Sequence, residues 1–163
     1  MKKLSFSLFS FSLILIFACT NSQDKTEEVE ENRYITKSKI EFLESKIERR
    51  KSAPYSDAVR VGNILFLTGQ VGFNNDSLKL AHGGIKAETI QALENIKAVL
   101  EAHGSDMEHV AKCTVILTDV NDFTAFNEIF RQYFPKNKPA RTTFVADLVI
   151  DAKIEIEAIA VVK

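Results

Sequence analysis

An arginine at the start of a strand is the side chain of this sequence best suited to hold a small anion. Pro139-Ala140-Arg141-Thr142-Thr143 places Arg141 two residues after a proline, just ahead of the extended run Thr142 to Val145. A guanidinium matches a carboxylate with two parallel N–H donors and keeps its charge at any physiological pH. Taken alone, Arg141 would serve equally well in a surface ion pair, which contributes little. Glu155 and Glu157 alternate with Ile154 and Ile156 near the end of the chain. A carboxylate there can take a proton from water, although a solvated strand face is the plainer use of such a pair. Other chemistries find less support. His82, His103 and His109 lack metal-ligand spacing, and no Ser, His and Asp grouping forms a triad. His103 falls at a helix end, where a cation complements the dipole. Cys113 stands inside an apolar run, as an inert core thiol would. Neither GxGxxG nor GxxxxGKS/T occurs, and Gly83-Gly84 ahead of a helix is at most a weak anion site. The residues point to no metal and no nucleotide cofactor.

The elements that must position these groups can be read from periodicity. Lys39 to Lys46 alternates and reads as a partly exposed first strand. Asp57 to Val61 is a short strand, and Gly62-Asn63 a turn. Ile64 to Thr68 is nearly continuous in apolar residues, as expected of a strand buried on both faces, and Gly69 to Gly72 ends it. Asn74 to Ser77 is a loop by composition. Lys86 to His103 is a helix with Ile90, Leu93, Ile96, Val99 and Leu100 on one face, stopped by Gly104. Val110 to Leu117 is a strand. Asp119 or Asn121 can cap a second helix carrying Phe123, Phe126, Phe130 and Phe134 on one face. Thr142 to Val145 and Lys153 to Val162 complete the order β-β-β-α-β-α-β-β. That order predicts the α+β class, a β-sheet with two helices packed on one face. On the last strand Ile154, Ile156, Ala158 and Ala160 suit a core. The opposite set, Glu155, Glu157, Ile159 and Val161, is half apolar and fits either an edge strand or a contact with another subunit.

Composition sets the frame. The chain has 163 residues, with 21 Lys+Arg against 22 Asp+Glu, so it lacks the basic excess that nucleic-acid binding uses. Its two cysteines, Cys19 and Cys113, form no CxxC and no disulfide framework. Residues 1–18 read as a lipoprotein signal peptide. Lys2 and Lys3 lead an uncharged run from Leu4 to Ala18, too short to cross a bilayer comfortably, and Ala18-Cys19 resembles a lipobox junction. An uncleaved anchor or a plain secretory signal would also fit. Residues 19–33 are then a lipidated Cys19 and an acidic tether, which cannot bury enough surface to offset its ordering entropy. Residues 34–163 form the domain. The expected location is the cell envelope, lipid-anchored at the outer membrane and periplasmic or surface-facing, or the cytosol if the leader is no signal.

Seven segments occur in an order that resembles the reactive-intermediate deaminase family (RidA, formerly YjgF). They are Ala53 to Val59 (APYSDAV), Leu67 to Val71 (LTGQV), Leu93 to Ile96 (LENI), Thr114 to Phe123 (TVILTDVNDF), Phe126-Asn127, Pro139 to Thr142 (PART) and Ile154 to Ala160 (IEIEAIA). The resemblance implies a chorismate-mutase-like fold, a homotrimer and sites in clefts between subunits. It implies a cofactor-free hydrolase of the 2-iminobutyrate/2-iminopropanoate deaminase type, which turns 2-imino and 2-enamino acids into 2-keto acids and ammonia. By resemblance Arg141 binds the substrate carboxylate and Glu155 positions the attacking water. Tyr55, Thr68, Gly69, Asn127 and Thr143 match positions that line the family cleft; Thr143 stands where some members carry Cys. The expected partners are a small imino or enamino acid, further copies of the chain, and a membrane through the lipid only.

Two other readings use the same residues. A binding module would capture a small carboxylate without turnover, and would need Arg141 but not Glu155. A ribonuclease or translation inhibitor, as reported for some relatives, fits poorly with an acidic balance. The leader yields its own prediction. Metabolic labelling with a fatty-acid probe should mark the wild-type chain and not Cys19→Ser, and equal labelling of both would exclude a lipid on this thiol.

Overall fold

The computed structural model of the protein describes residues 39–163. They fall in a compact unit that spans Ser38–Lys163. The expected signal peptide, Cys19, the tether and the expected domain start at residue 34 lie outside the described residues.

The domain is a mixed β-sheet with two helices, as the element order predicts. Its strands are β1 (Ile40–Leu43), β2 (Ala58–Val61), β3 (Ile64–Leu67), β4 (Gln70–Val71), β7 (Val110–Leu117), β8 (Ala140–Val145) and β9 (Ile154–Val161). β5 (Phe73–Asn74) and β6 (Lys79–Leu80) form a separate small hairpin. The helices are α1 (Gly84–Ala102) and α2 (Phe123–Tyr133). The strand order is β1-β2-β3-β9-β7-β8, with β4 also paired to β9. β7 and β8 are parallel, joined by a crossover that contains α2, and the other pairs are antiparallel.

The core lies between the sheet and the helices. Strand alternation sends Ile154, Ile156, Ala158 and Ala160 of β9 inward beside Cys113, Val115 and Leu117 of β7. They meet Leu93, Ile96 and Leu100 of α1 and Phe126 and Phe130 of α2. Burying each large side chain contributes on the order of 1.5–3 kcal/mol. Phe126, Phe130 and Phe134 stack in sequence, with ring centroids 5.4 and 4.7 Å apart. α1 ends as Gly104 adopts φ +82°, which lets Ser105 N donate to Leu100 O at 2.9 Å. Asp119 caps the turn that enters α2 by accepting from Asn121 N at 2.8 Å.

Several expectations change. β3 is not buried on both faces: Leu65 and Leu67 are inside, while Ile64 and Phe66 are exposed because the helices cover one face only. Gly69 to Gly72 does not end the strand but holds β4, which regains the sheet by pairing with β9. The loop at Asn74 to Ser77 is the tip of the β5–β6 hairpin. The first strand stops at Leu43 instead of Lys46. Ile90 turns away from the core and is 42% exposed, and Phe123 lies at the rim of the aromatic face. Burial also lowers the pKa of His103, against the opposing pull of Asp57 and with Lys46 lowering it further, which disfavours the charged ring at the end of α1.

α1 approaches β4 closely because Gly72 has no side chain. A Cβ there would lie 2.5 Å from both Glu88 Cα and Cβ. The neighbouring carboxylate is structural, since Glu88 Oε2 accepts from Lys153 N at 2.7 Å across the domain. Gly72→Ala should therefore destabilise the fold by about 1–3 kcal/mol through overpacking against backbone. Urea unfolding would show this as a lower midpoint, and an unchanged midpoint would mean that α1 can move away freely.

Candidate functional site

Arg141 points into the helix-covered side of the sheet. Its register partner on β7 is the buried Cys113, and parallel register partners project to the same face. The guanidinium lies over an aromatic floor, 4.7 Å from the Phe130 ring centroid, 4.9 Å from Phe126 and 5.9 Å from Phe123. Ring faces attract a cation but do not neutralise it. Among the described residues no carboxylate pairs with Arg141. Burial lowers its pKa, the Cys113 thiol opposes that, and Arg131 lowers it further. An arginine nonetheless stays protonated. Burial also pushes the Cys113 thiol up to about 12, so it is inert near neutral pH as its apolar run suggests.

Arg141 opens onto a cleft of about 590 Å³ that it shares with Asn127, Phe130 and Phe134. Asn127 stands one residue after Phe126 on α2. Thr143 follows Arg141 by two residues on the same strand face, and its buried hydroxyl has no hydrogen-bond partner. Arg141 and Asn127 thus share one cleft, while Thr143 lies on the strand face of Arg141 outside the cleft lining.

Glu155 belongs to a second group on the opposite face. It stands between Ile154 and Ile156, both fully buried, so alternation turns it away from the helices. Its strand partners are Ile116 and Val71. Gly69 makes room for it: a Cβ at that position would overlap Glu155 Oε1. Burial raises the pKa of Glu155, and the like charge of Glu157 raises it further. Tyr55 and Gly69 line another cleft, of about 290 Å³, with Arg49, Arg50 and Gln70. Thr68 sits at the β3–β4 junction, where its N–H donates to Asp57 O at 3.0 Å. One chain therefore does not bring Arg141 and Glu155 together.

The second cleft includes residues that the sequence reading overlooked. Arg50 Nη2 lies 3.0 Å from Asp57 Oδ1, an ion pair off the hydrogen-bond axis, and Arg50 Nη1 donates to Gln70 Oε1 at 3.2 Å. Both members of the pair are nearly buried. Arg49 stacks 4.6 Å above the Phe73 ring and donates to Asn75 Oδ1. The available signal was Arg49-Arg50 just ahead of Ser52-Ala53-Pro54-Tyr55, with an acid opening an apolar strand. The pair braces the Tyr55 segment against the β3–β4 junction.

Residues 47–162 match the family model described as endoribonuclease L-PSP. The chain belongs to this family, the RidA/YjgF proteins. It is 46% identical over 109 residues to the human 2-iminobutanoate/2-iminopropanoate deaminase, covering 66% of this chain and 80% of that protein. It is 48% identical over 108 residues to a RutC family protein of Pyrococcus horikoshii, covering 66% and 86%. Among solved structures, the YjgF gene product of E. coli superposes with a TM-score of 0.69 at 31% identity, covering 76% of this chain and 99% of that one. This RidA/YjgF chain thus has the fold that its motifs implied.

The electrostatics of Glu155 give a direct check. A carbon-detected NMR titration should find the Glu155 carboxyl protonating above the ordinary glutamate range. Glu157→Gln should move it part of the way down, because the larger cause, burial, remains. No movement would show that the two carboxylates do not interact.

Proposed function

We propose that this protein hydrolyses reactive 2-imino and 2-enamino acids to 2-keto acids and ammonia, without a cofactor, in clefts shared between copies in a homotrimer. The observation that carries the reading is Arg141, a half-buried cation on an aromatic floor with no carboxylate partner among the described residues. Such a charge is costly unless an anion meets it, and a substrate carboxylate fits the guanidinium fork. The 46% identity to a protein named 2-iminobutanoate/2-iminopropanoate deaminase supports the same chemistry.

The steps follow from the groups present. Arg141 holds the carboxylate, and Asn127 and the free Thr143 hydroxyl supply polar contacts beside it. A protonated imine is already a strong electrophile, so the protein need only orient it and deliver water. Glu155 accepts a proton as the water oxygen bonds to the imine carbon. It then returns the proton to the nitrogen; as the C–N bond breaks, ammonia leaves and the hydroxyl gives its proton to the Glu155 carboxylate, forming the carbonyl. Desolvation favours this role, because a carboxylate with a raised pKa is a stronger base than an exposed one once ionised. The rate should accordingly rise with pH through the raised pKa of Glu155. A neighbouring copy's Glu155 serves the Arg141 of the first, since the two project from opposite faces of one sheet.

The open sheet face supports the assembly. Phe42, Val59, Phe66 and Ile159 follow one another across β1, β2, β3 and β9, and Ile40, Val61, Ile64 and Val161 form the next row. Phe42 is 71% exposed and Phe66 43%. A contiguous apolar patch of this kind marks an interaction surface. Ile159 and Val161 belong to the half-apolar set read from the sequence.

Subunit complementation tests the shared cleft and both roles. Arg141→Ala should lose binding and turnover together, and Arg141→Lys should recover only part, since an ammonium lacks the planar fork. Glu155→Gln should keep the trimer and ligand binding while turnover falls. Refolding the two inactive variants together at equal ratio should restore about a quarter of wild-type activity, because a cyclic trimer then pairs an intact Arg141 with an intact neighbouring Glu155 at that frequency. No recovery from the mixture would sink the shared cleft. Full carboxylate binding with no wild-type turnover of imines generated in situ would favour a binding module.

A further inference from the structure

The cleft that holds Arg141 carries more positive charge than one carboxylate can use. Arg131, Lys138 and Arg141 all line it, and no acidic residue does. Neither Arg131 nor Lys138 forms an ion pair among the described residues. The nearest acid along α2, Glu128, is bonded to Lys86 at 2.6 Å and feels the charge of Arg131, but forms no ion pair with it. Lys138 is separated from Arg141 only by Pro139 and Ala140, and the fixed φ of proline limits how far the two cations can move apart. Arg131 is close enough to oppose the charge on Arg141. Like charges gathered on one cavity repel, and the repulsion is relieved when anionic ligand groups enter. Between the cations the wall is apolar, formed by Phe130, Phe134, Pro135 and Pro139. An apolar wall with cations at separate points suits a short aliphatic stem carrying an anion at each end.

We propose that the preferred substrate is a dicarboxylic 2-imino acid, with its 1-carboxylate on Arg141 and its distal carboxylate held by Arg131 and Lys138. This inference rests on the imine-hydrolase reading and narrows it. A cleft of about 590 Å³ readily admits a five-carbon diacid. The reaction is unchanged: water adds at the imine carbon, ammonia leaves, and a 2-keto diacid is the product. The distal carboxylate supplies orientation and selectivity and takes no part in proton transfer. Arg131 and Lys138 are specificity-determining, not catalytic, because they touch the end of the substrate remote from the reacting carbon. An upstream reaction that oxidises or eliminates from an acidic amino acid would supply such an imine.

Two measurements on the full-length protein test this. Calorimetry compares the stable products 2-oxoglutarate and 2-oxobutanoate, with inorganic phosphate as a plain anion. The diacid should bind roughly tenfold tighter than the monoacid, the scale of one added charge-assisted contact. The double variant Arg131→Gln/Lys138→Gln should bring that ratio close to one, and the charge-conserving Arg131→Lys/Lys138→Arg should keep most of it. In turnover, imines made in situ by an amino-acid oxidase from glutamate and from 2-aminobutyrate should show the same ratio in kcat/KM and the same collapse. A wild type without diacid preference, a preference that survives the double glutamine variant, or phosphate competing as well as the diacid would overturn the inference. Its failure is distinct from that of the parent reading. Wild type that hydrolyses 2-iminobutanoate in an Arg141-dependent way, with the ratio unmoved by the double variant, removes only the diacid. Diacid binding that depends on Arg131 and Lys138 without any imine turnover keeps the diacid site and removes the hydrolase.

Discussion

Side-chain alternation along β9 is the constraint from which the rest of this structure follows. One eight-residue strand pairs with β3, β4 and β7, so it cannot shift register without breaking three ladders. Its even-numbered residues must then all be core, and they are the apolar set Ile154, Ile156, Ala158 and Ala160. Its odd-numbered residues face away, which delivers Glu155 to a place where it is half-buried yet outside the hydrophobic interior. A slip by one residue would put two carboxylates under α1. The position of Glu155 is therefore enforced by the folding energy of the whole domain and not by local contacts, a sound basis for the water-positioning role proposed for it.

The same reasoning explains the tolerance of a half-buried cation at Arg141 without a carboxylate partner among the described residues. The parallel β7–β8 pair lies at the sheet edge, where α2 covers the outer strand with its phenylalanine face. That face has two uses. Phe126 and Phe130 close the core with their inner edges and present ring faces to the guanidinium. Cation–π attraction offsets part of the desolvation cost, and among the described residues no side chain or carbonyl accepts from the fork, which leaves its N–H groups for a ligand. A carboxylate partner in the same place would stabilise the fold more and would fill the site.

In the proposed trimer, assembly completes what one chain leaves divided. The helices cover only one side of the sheet, so an apolar face with Phe42 and Phe66 remains open. The two halves of the proposed site are arranged accordingly, the anion-binding half at the β8–α2 edge and the carboxylate half across the sheet near Gly69. In the proposed trimer, burial of the open face and construction of the site become one event, so a free chain would be inactive and less stable.

The sequence by itself determined most of the elements, because these depend on local patterns. Periodicity located α1, β7 and β9, since each buries one face along its length and must repeat at 3.6 or 2 residues. Pro139-Ala140-Arg141 and the Ile-Glu-Ile-Glu run marked the two chemical groups within a seven-segment family order. Composition marked Cys19 and the tether, which lie outside the described residues. The tertiary structure decided whatever depends on pairing between distant segments. β4 could not be read because two residues between glycines form a strand only when β9 lies alongside. The Arg50–Asp57 pair was hidden because a buried ion pair has no periodicity. The convergence of Arg131, Lys138 and Arg141 was equally hidden, because only the parallel register of β8 on β7 sets the arginine of a strand beside the polar edge of a helix. Tertiary structure also placed Arg141 and Glu155 on opposite faces, since the face a residue takes depends on the register of its strand and not on its identity.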